Sequence, residues 1–199
     1  MRPSLSRKVV LVASDGCEES SFSGAGGLVV DASQLVRVGV ACRVTKATLD
    51  QWPFAEAHIQ RIECLAVLLV LVSQAGALAG RDVLWFIDNT SVLGSLIKGR
   101  SSDPVVHIMC EAIHLLFFQA DIMTYFEWVE SKANWSDGVS RDLDECPWAA
   151  ARDFQVAVVA EPACASSSLD ALLADLVSFP GIGEVAGAAL AVLRVALGT

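Results

Sequence analysis

Short apolar runs rich in β-branched residues open the chain, and stretches with helical periodicity follow them. The first three runs lie at residues 8–14, 26–31 and 35–44, with Ser/Gly-rich or short polar turns between them. Runs of this length and composition predict β-strands, and turns of this kind join antiparallel neighbours. The opening segment therefore predicts an antiparallel meander of three strands.

The pattern changes to a helical one over residues 55–78, where Ile59, Ile62 and Leu69 recur at spacings built from three and four residues. Within this helix, residues 64–80 carry no charge, and the mean hydropathy of the whole chain is +0.52. The uncharged stretch is shorter than the roughly 20 apolar residues that a membrane-spanning helix needs. We expect a buried core helix and no association with a membrane.

The second half of the chain alternates strands with helices. The apolar runs at 83–87 and 121–129 predict two further strands, and helical stretches are predicted at 91–97, at 104–120 and directly after the polar loop 131–136. The order βββαβαβα predicts a mixed α/β fold. We expect one domain over residues 1–147, a five-stranded mixed sheet of three antiparallel strands and two parallel additions, flanked by helices.

After residue 147 the sequence becomes rich in Ala, Val and Ser, which predicts a linker over residues 148–168 and an appended helical tail of unknown role over residues 169–199. Residues 179–190 (FPGIGEVAGAAL) resemble the turn of a helix-hairpin-helix element, whose backbone N–H groups bind a DNA phosphate. This segment contains no Lys or Arg, which favours a plain Gly/Pro break between two helices.

The cysteines and the charge limit the classes of function. Six cysteines occur without a CxxC pair, which argues against a zinc site and a disulfide framework and favours a reduced, intracellular environment. The apolar run after the basic N-terminus is interrupted by Ser14 and Asp15, so we expect no secretory signal. The net charge of -9 works against a broad electrostatic attraction to nucleic acid.

Four acidic residues stand where a sheet can gather them. Asp15 and Asp88 each follow a predicted strand, Glu63 lies on the long helix, and Asp137 begins the last one. Taken singly, each aspartate has a simpler interpretation as a turn former or helix cap. Glu63 is different, because a charge among apolar neighbours is costly unless it is paired or bound to metal. If the first and fourth strands are neighbours, Asp15 and Asp88 face each other at one edge of the sheet.

Three segments resemble the ribonuclease H domains carried on retroelement polyproteins, especially those of the tyrosine-recombinase retrotransposon group. Residues 58–67 (HIQRIECLAV) are similar to that family's helix with its catalytic glutamate, and residues 86–93 (FIDNTSVL) to its second-aspartate motif. Residues 128–141 (WVESKANWSDGVSR) are similar to its closing motif, in which an Asn precedes an Asp by three residues and a Ser-Arg pair follows. With the Asp15 strand, the resemblance covers roughly residues 8–145.

The resemblance implies a ribonuclease H-like fold and cleavage of the RNA strand of an RNA/DNA hybrid, leaving a 3′-hydroxyl and a 5′-phosphate. The catalytic residues and metal ligands implied by position are Asp15, Glu63, Asp88 and Asp137, holding two Mg²⁺ ions, with Mn²⁺ as a substitute. Asn89 and Asn134 would contact the hybrid or order their loops. The implied partners are the hybrid and an adjacent reverse transcriptase domain of a retroelement polyprotein.

The chain departs from the family's pattern at two places. Ser136 replaces an expected alanine before the last aspartate. The family's basic protruding segment is reduced to Lys98 and Arg100, so we expect the grip on the hybrid to depend on a neighbouring domain.

Other classes within the same broad fold make predictions that the sequence does not meet. A proofreading exonuclease requires an acid two residues after its first aspartate, where Cys17 stands, and an integrase requires a glutamate about 35 residues past its second, where Met123 stands. A catalytically degenerate ribonuclease H-like domain that binds nucleic acid or acts as a scaffold remains the alternative. Divalent metal separates the two, because it stabilises a working site and leaves a pure scaffold indifferent.

Overall fold

The computed structural model describes residues 7–52, 58–162, 168–179 and 181–197. In this part of the chain, six strands form one sheet in the order β5-β4-β1-β2-β3-β6. The strands are β1 (Val9–Glu18), β2 (Ser23–Asp31), β3 (Val36–Val44), β4 (Asp82–Ile87), β5 (Met123–Trp128) and β6 (Gln155–Val158).

The directions of the five central strands agree with the expectation from the sequence. β2 is antiparallel to both β1 and β3, whereas β4 and β5 run parallel to β1. The predicted mixed α/β fold class, with three antiparallel strands and two parallel additions, is therefore confirmed.

The strand count is a correction. β6 lies within residues 148–168, for which the sequence predicts a linker, and it pairs parallel with β3 at the edge of the sheet. This strand has only four residues, and all four of its side chains are exposed or half-buried, so neither length nor alternation marks it in the sequence. Residues 163–167, which belong to the predicted linker, lie outside the described residues.

Eight α-helices are described, and the two predicted at 91–97 and 104–120 begin and end within one residue of those limits. The eight helices are α1 (Lys46–Gln51), α2 (Ile59–Leu78), α3 (Thr90–Lys98), α4 (Pro104–Gln119), α5 (Asp137–Asp142), α6 (Pro147–Ala150), α7 (Leu169–Val177) and α8 (Gly183–Leu197). The short helices α1 and α6 are not predicted from the sequence. The predicted start of α2 at residue 55 lies outside the described residues.

The helices cover both faces of the sheet. A Cβ added to Gly26 would contact Val139 of α5, and one added to Gly27 would contact Val70 of α2. Because successive side chains of a strand point to opposite faces, α2 and α5 lie on opposite sides of β2. The large core lies on the α2 side, where α4 packs on α2, and a smaller apolar cluster lies around α5.

Helix α2 is long and apolar enough to cross a membrane by length and composition alone. However, 78% of its most apolar stretch is buried inside the protein. Such burial is what the core helix of a globular domain shows, as the sequence predicts for this segment.

The predicted tail is helical over its described part, where α7 and α8 pack against α4. Leu173 and Leu176 of α7 are fully buried in the same core as α2. The turn between the two helices packs inward as well, because Ile182 is fully buried and Gly181 lies beside the Val72 carbonyl of α2. This packing favours a structural helix break over a phosphate-binding hairpin.

Candidate metal centre

Asp15 lies inside β1. The sequence predicts that the first strand ends at Ser14, but β1 continues to Glu18 because it pairs with the Ser/Gly-rich residues at the start of β2. Asp15 pairs with Gly26 in this ladder and is only 3% exposed. Pairing with β2 therefore fixes the backbone of Asp15.

Asp88 follows β4 directly and lies beside Asp15, as the sequence predicts for neighbouring first and fourth strands. The parallel register pairs Ala13 with Phe86, so two residues further along both strands bring the two aspartates together. Trp128, at the end of β5, donates a hydrogen bond from its indole Nε1 to the Asp88 carbonyl oxygen at 3.1 Å. This bond fixes the backbone that carries the Asp88 carboxylate.

Glu63 reaches the same point from the first turns of α2. A Cβ at Gly16 would lie 2.7 Å from the Glu63 backbone nitrogen, closer than real Cβ atoms come. Only glycine therefore lets α2 approach β1 closely enough at this point. The Gly16 N–H also donates to the Glu63 carboxylate, which fixes its direction.

The carboxylates of Asp15, Glu63 and Asp88 converge. One oxygen from each lies within 4.8 Å of the others, and Asp15 and Glu63 are buried. The Oδ1 atom of Asp88 is also buried and has no hydrogen-bond partner among the described residues. A buried carboxylate oxygen without a partner is costly unless a proton or a cation satisfies it. Three carboxylates of this kind fit a hard divalent cation, which takes oxygen ligands.

The crowding raises the proton affinity of two of these acids. Burial is the main cause that raises the pKa of Asp15 to about 7; Asp88 and Asp137 add to it, and a hydrogen bond from Ser140 opposes it. Burial likewise raises the pKa of Glu63 to about 9, with further contributions from Asp15 and Asp88. A divalent cation would reverse both effects, because it favours the charged carboxylates.

The two asparagines predicted as accessory residues order loops next to the acids. Asn89 caps α3, since its Oδ1 accepts hydrogen bonds from the backbone N–H groups of Ser91 and Val92, both at 3.1 Å, and its amide also bonds to Glu63. The helix cap is therefore Asn89, and the simpler interpretation of Asp88 as that cap does not apply. Asn134 is buried and donates from Nδ2 to the Ser14 carbonyl at 3.2 Å and to Asp15 at 3.5 Å.

Two serines near Asp15 were not assigned roles from the sequence. Ser140, fully buried, donates a hydrogen bond to Asp15 Oδ2, and Ser136 donates to Asn134 Oδ1 at 2.7 Å. Ser136 thus anchors the loop at the position where an alanine was expected. The Ser-Arg pair after Asp137 was the only sequence signal for Ser140, and its partner lies 125 residues away along the chain.

Asp137 begins α5, as predicted, but is not part of the three-carboxylate group. Its Oδ1 accepts a hydrogen bond from Arg141 Nε at 3.2 Å, and the Arg141 guanidinium also pairs with Glu19. Asp137 is close enough to Asp15 to raise its pKa. The fourth acid therefore lies beside the group, held on its outer side by an arginine.

A polar groove runs beside the acids along α3. Its lining includes Lys98 and Arg100 together with the hydroxyls of Ser91, Ser101 and Ser102. Cations and hydroxyls of this kind can contact nucleic-acid phosphates.

No protein family matches the sequence, and no curated protein matches it. Among solved structures, the chain is similar to RNase H1 from the halophilic archaeon Halobacterium salinarum, with 17% identity and a TM-score of 0.47, over 63% of this chain and 89% of that one. It is also similar to the N-terminal RNase H domain of a Mycobacterium tuberculosis protein, with 15% identity and a TM-score of 0.46, over 72% of this chain and 98% of that one. At this level of similarity the likeness says nothing about chemistry, which depends on the side chains of this chain.

Proposed function

We propose that the chain is a ribonuclease H that hydrolyses the RNA strand of RNA/DNA hybrids with two divalent metal ions, Mg²⁺ in the cell. The convergence of three carboxylates around the orphaned Asp88 Oδ1 carries this proposal. The similarity of the three sequence segments to retroelement ribonuclease H domains supports the choice of substrate and a parent polyprotein with a reverse transcriptase domain.

The positions of the residues in the metal centre suggest which of them would hold metal and which would orient the ligands. Bound metal ions would neutralise charge at the attacking and leaving oxygens of an in-line displacement. Glu63, Asp88 and Asp15 would hold one ion, and Asp15 with Asp137 the other. Asp15 suits the shared role because it interacts electrostatically with both Asp88 and Asp137. Ser140 and Asn134 orient Asp15, and Gly16 and Asn89 orient Glu63.

Contacts to the hybrid outside the metal centre are expected to be few. The chain has a net charge of -9, and the cationic residues that line the groove along α3 are Lys98 and Arg100. Because each neutralised phosphate adds to affinity, a small cationic surface gives weak binding that falls with salt. We expect an adjacent domain to supply the remaining affinity in the parent polyprotein.

The test is release of labelled fragments from an RNA/DNA hybrid in Mg²⁺ at low salt. Wild-type protein is expected to cut the RNA strand, and Asp88→Asn to lower the rate by about a thousandfold, as loss of a ligand at a reacting centre does. The matched control is Asp82→Asn, which removes an exposed aspartate at the other end of β4 and should cut normally. Equal cutting by wild type and Asp88→Asn would refute the proposal, and metal binding without cutting would favour the degenerate scaffold.

A further inference from the structure

The fourth acid is bound to an arginine instead of lying with the other three. Asp137 and Arg141 are separated by one helical turn of α5, and their Oδ1 and Nε atoms are 3.2 Å apart. The Nη1 atom of the same guanidinium pairs with Glu19 Oε1. Arg141 therefore links two carboxylates, one at the edge of the metal centre and one further out.

The ion pair lies at the surface, whereas the three-carboxylate group is buried. The side chains of Asp137, Arg141 and Glu19 are 47%, 42% and 44% exposed. An exposed ion pair is weak and easily exchanged. The first cation can bind to the buried group without disturbing Arg141, but a cation that needs Asp137 as a ligand must compete with the guanidinium.

Resting on the proposed function, we propose that Arg141 is a positioning residue that holds Asp137 in place of the second metal ion and moves to Glu19 alone when that ion binds. In the metal-free chain the guanidinium supplies positive charge to Asp137, which lies close enough to Asp15 to interact with it electrostatically. Because Glu19 already accepts from Nη1, Arg141 keeps a partner after it releases Asp137. The two metal sites therefore differ in affinity. The competition between Asp137 and Glu19 for Arg141 sets the affinity of the weaker site.

Substitutions of Arg141 and of Glu19 should have opposite effects on the affinity of the weaker metal site. Arg141→Gln removes the competitor and should tighten the weaker site by about two- to fivefold, which is what an ion pair of this exposure is worth. Glu19→Gln removes the second acceptor, so Arg141 holds Asp137 more firmly and the weaker site should weaken by a similar factor. The tighter site of Asp15, Glu63 and Asp88 should change less because, of these three acids, Arg141 acts on Asp15, and there through its charge alone.

The experiment is a titration of the full chain with Mn²⁺, without nucleic acid, in which calorimetry measures affinities and electron paramagnetic resonance counts bound ions. Arg43→Gln is the charge control, because Arg43 contacts the Arg141 carbonyl but none of the carboxylates of the centre. It should leave the weaker site unchanged. Arg141→Lys keeps the charge but loses the planar Nε–H contact, and should behave more like Arg141→Gln than like wild type.

A double variant separates positioning from the general electrostatic field. In an Asp137→Asn background, which removes the carboxylate that Arg141 holds, Arg141→Gln should have no effect on Mn²⁺ affinity. The proposal is overturned if Arg141→Gln leaves the affinity of the weaker site unchanged or lowers it, or if Arg43→Gln raises that affinity as much as Arg141→Gln does. It is also overturned if wild type and Arg141→Gln each bind only one Mn²⁺ ion. Failure of the proposed function looks different, since wild type would then bind no Mn²⁺ at the three-carboxylate group, or would bind it and leave the RNA/DNA hybrid uncut.

Discussion

At the scale of single residues, Asp15 and Glu63 bind protons more tightly than ordinary carboxyl groups do, and a bound cation would displace these protons. Burial and the neighbouring acids raise their pKa values from 3.8 to about 7 and from 4.5 to about 9. In the unfolded chain both acids lose these protons near their ordinary values. The folded chain therefore holds more protons than the unfolded chain between about pH 4 and pH 9.

This difference predicts how the stability of the metal-free protein depends on pH. Because the folded state binds more protons, the free energy of unfolding should fall as the pH rises through about 4 to 9. Urea unfolding at a series of pH values, in the presence of a chelator, measures it. Added Mg²⁺ should restore stability most at the alkaline end, where the carboxylates are charged and ready to bind.

The control is the double variant Asp15→Asn and Glu63→Gln, whose stability should be nearly flat over this range. Burial opposes the charged forms of Asp31 and Asp103, but hydrogen bonds, chiefly from Ser33 and from Arg61, lower the pKa of each below 3.8. These two acids therefore change the pH dependence of stability only below about pH 4. A wild-type protein that gains stability from pH 5 to pH 9 without metal would show that the acids do not converge.

The sequence predicts that four acids meet, and the structure brings three of them together, with Asp137 beside them. The sequence does not predict how they are held. Asp15, Glu63 and Asp88 could be chosen because strand ends and a charge on an apolar helix are local features. The bond from Ser140 to Asp15 joins positions far apart in the chain, and no local pattern records it. The same holds for Arg141, whose pairing with Glu19 depends on where α5 lies on the sheet.

At the scale of elements, close approaches at glycines decide where the acid-bearing helices lie. Gly16 admits α2, and Gly24 admits α5, because a Cβ at Gly24 would lie 2.2 Å from the Ser140 carbonyl oxygen. These glycines occur in strands, where glycine is otherwise unfavourable. Their presence is therefore explained by the packing of the helices that carry Glu63 and Asp137.

The glycine at the crossing of α2 and β1 gives a prediction. Gly16→Ala places a Cβ against the Glu63 backbone, so it should lower the free energy of unfolding by about 1–3 kcal/mol and weaken Mn²⁺ binding, because α2 must move away from β1. Gly76→Ala is the matched control, since nothing lies within 4 Å of its added Cβ on the same helix. It should stabilise the protein by up to about 1 kcal/mol and leave binding unchanged. Equal effects of the two changes would contradict this packing.

The elements missed from the sequence share one property. α1 has six residues and β6 has four, so neither extends over enough residues to set up a recognisable period. Their positions are held by distant contacts, such as Glu161, which follows β6 and accepts hydrogen bonds from the backbone N–H and the hydroxyl of Thr45 before α1. The longer elements extend over enough residues to show a pattern, and β3, β4, α3 and α4 have their predicted limits to within one residue. β1 and β2 extend three or four residues further than predicted where they pair with each other.

At the scale of the whole molecule, the sheet and the helical tail share one apolar core. Leu172, Leu173 and Leu190 belong to the same buried cluster as the residues of α2 and α4. The sequence predicts one or two helices in the tail from its composition, and the structure has α7 and α8 there. The sequence does not predict the surface on which they pack. The division into a domain, a linker and a tail stays a prediction.

The negative net charge of the molecule and its candidate metal centre both involve the clustered carboxylates. The formal net charge of -9 counts the clustered carboxylates as ionised, which is the state that a bound cation would favour. Under the proposed function, a bound metal ion would also help this edge of the sheet to accept an anionic substrate.

The most direct test of the central claim is to locate metal by anomalous diffraction from crystals of the full chain grown with Mn²⁺ at neutral pH. The account predicts a strong peak bonded to carboxylate oxygens of Asp15, Glu63 and Asp88, with the orphaned Asp88 Oδ1 among them, and no such peak in Asp88→Asn crystals. Mn²⁺ bound only elsewhere on the molecule, with these three carboxylates still facing one another, would contradict it.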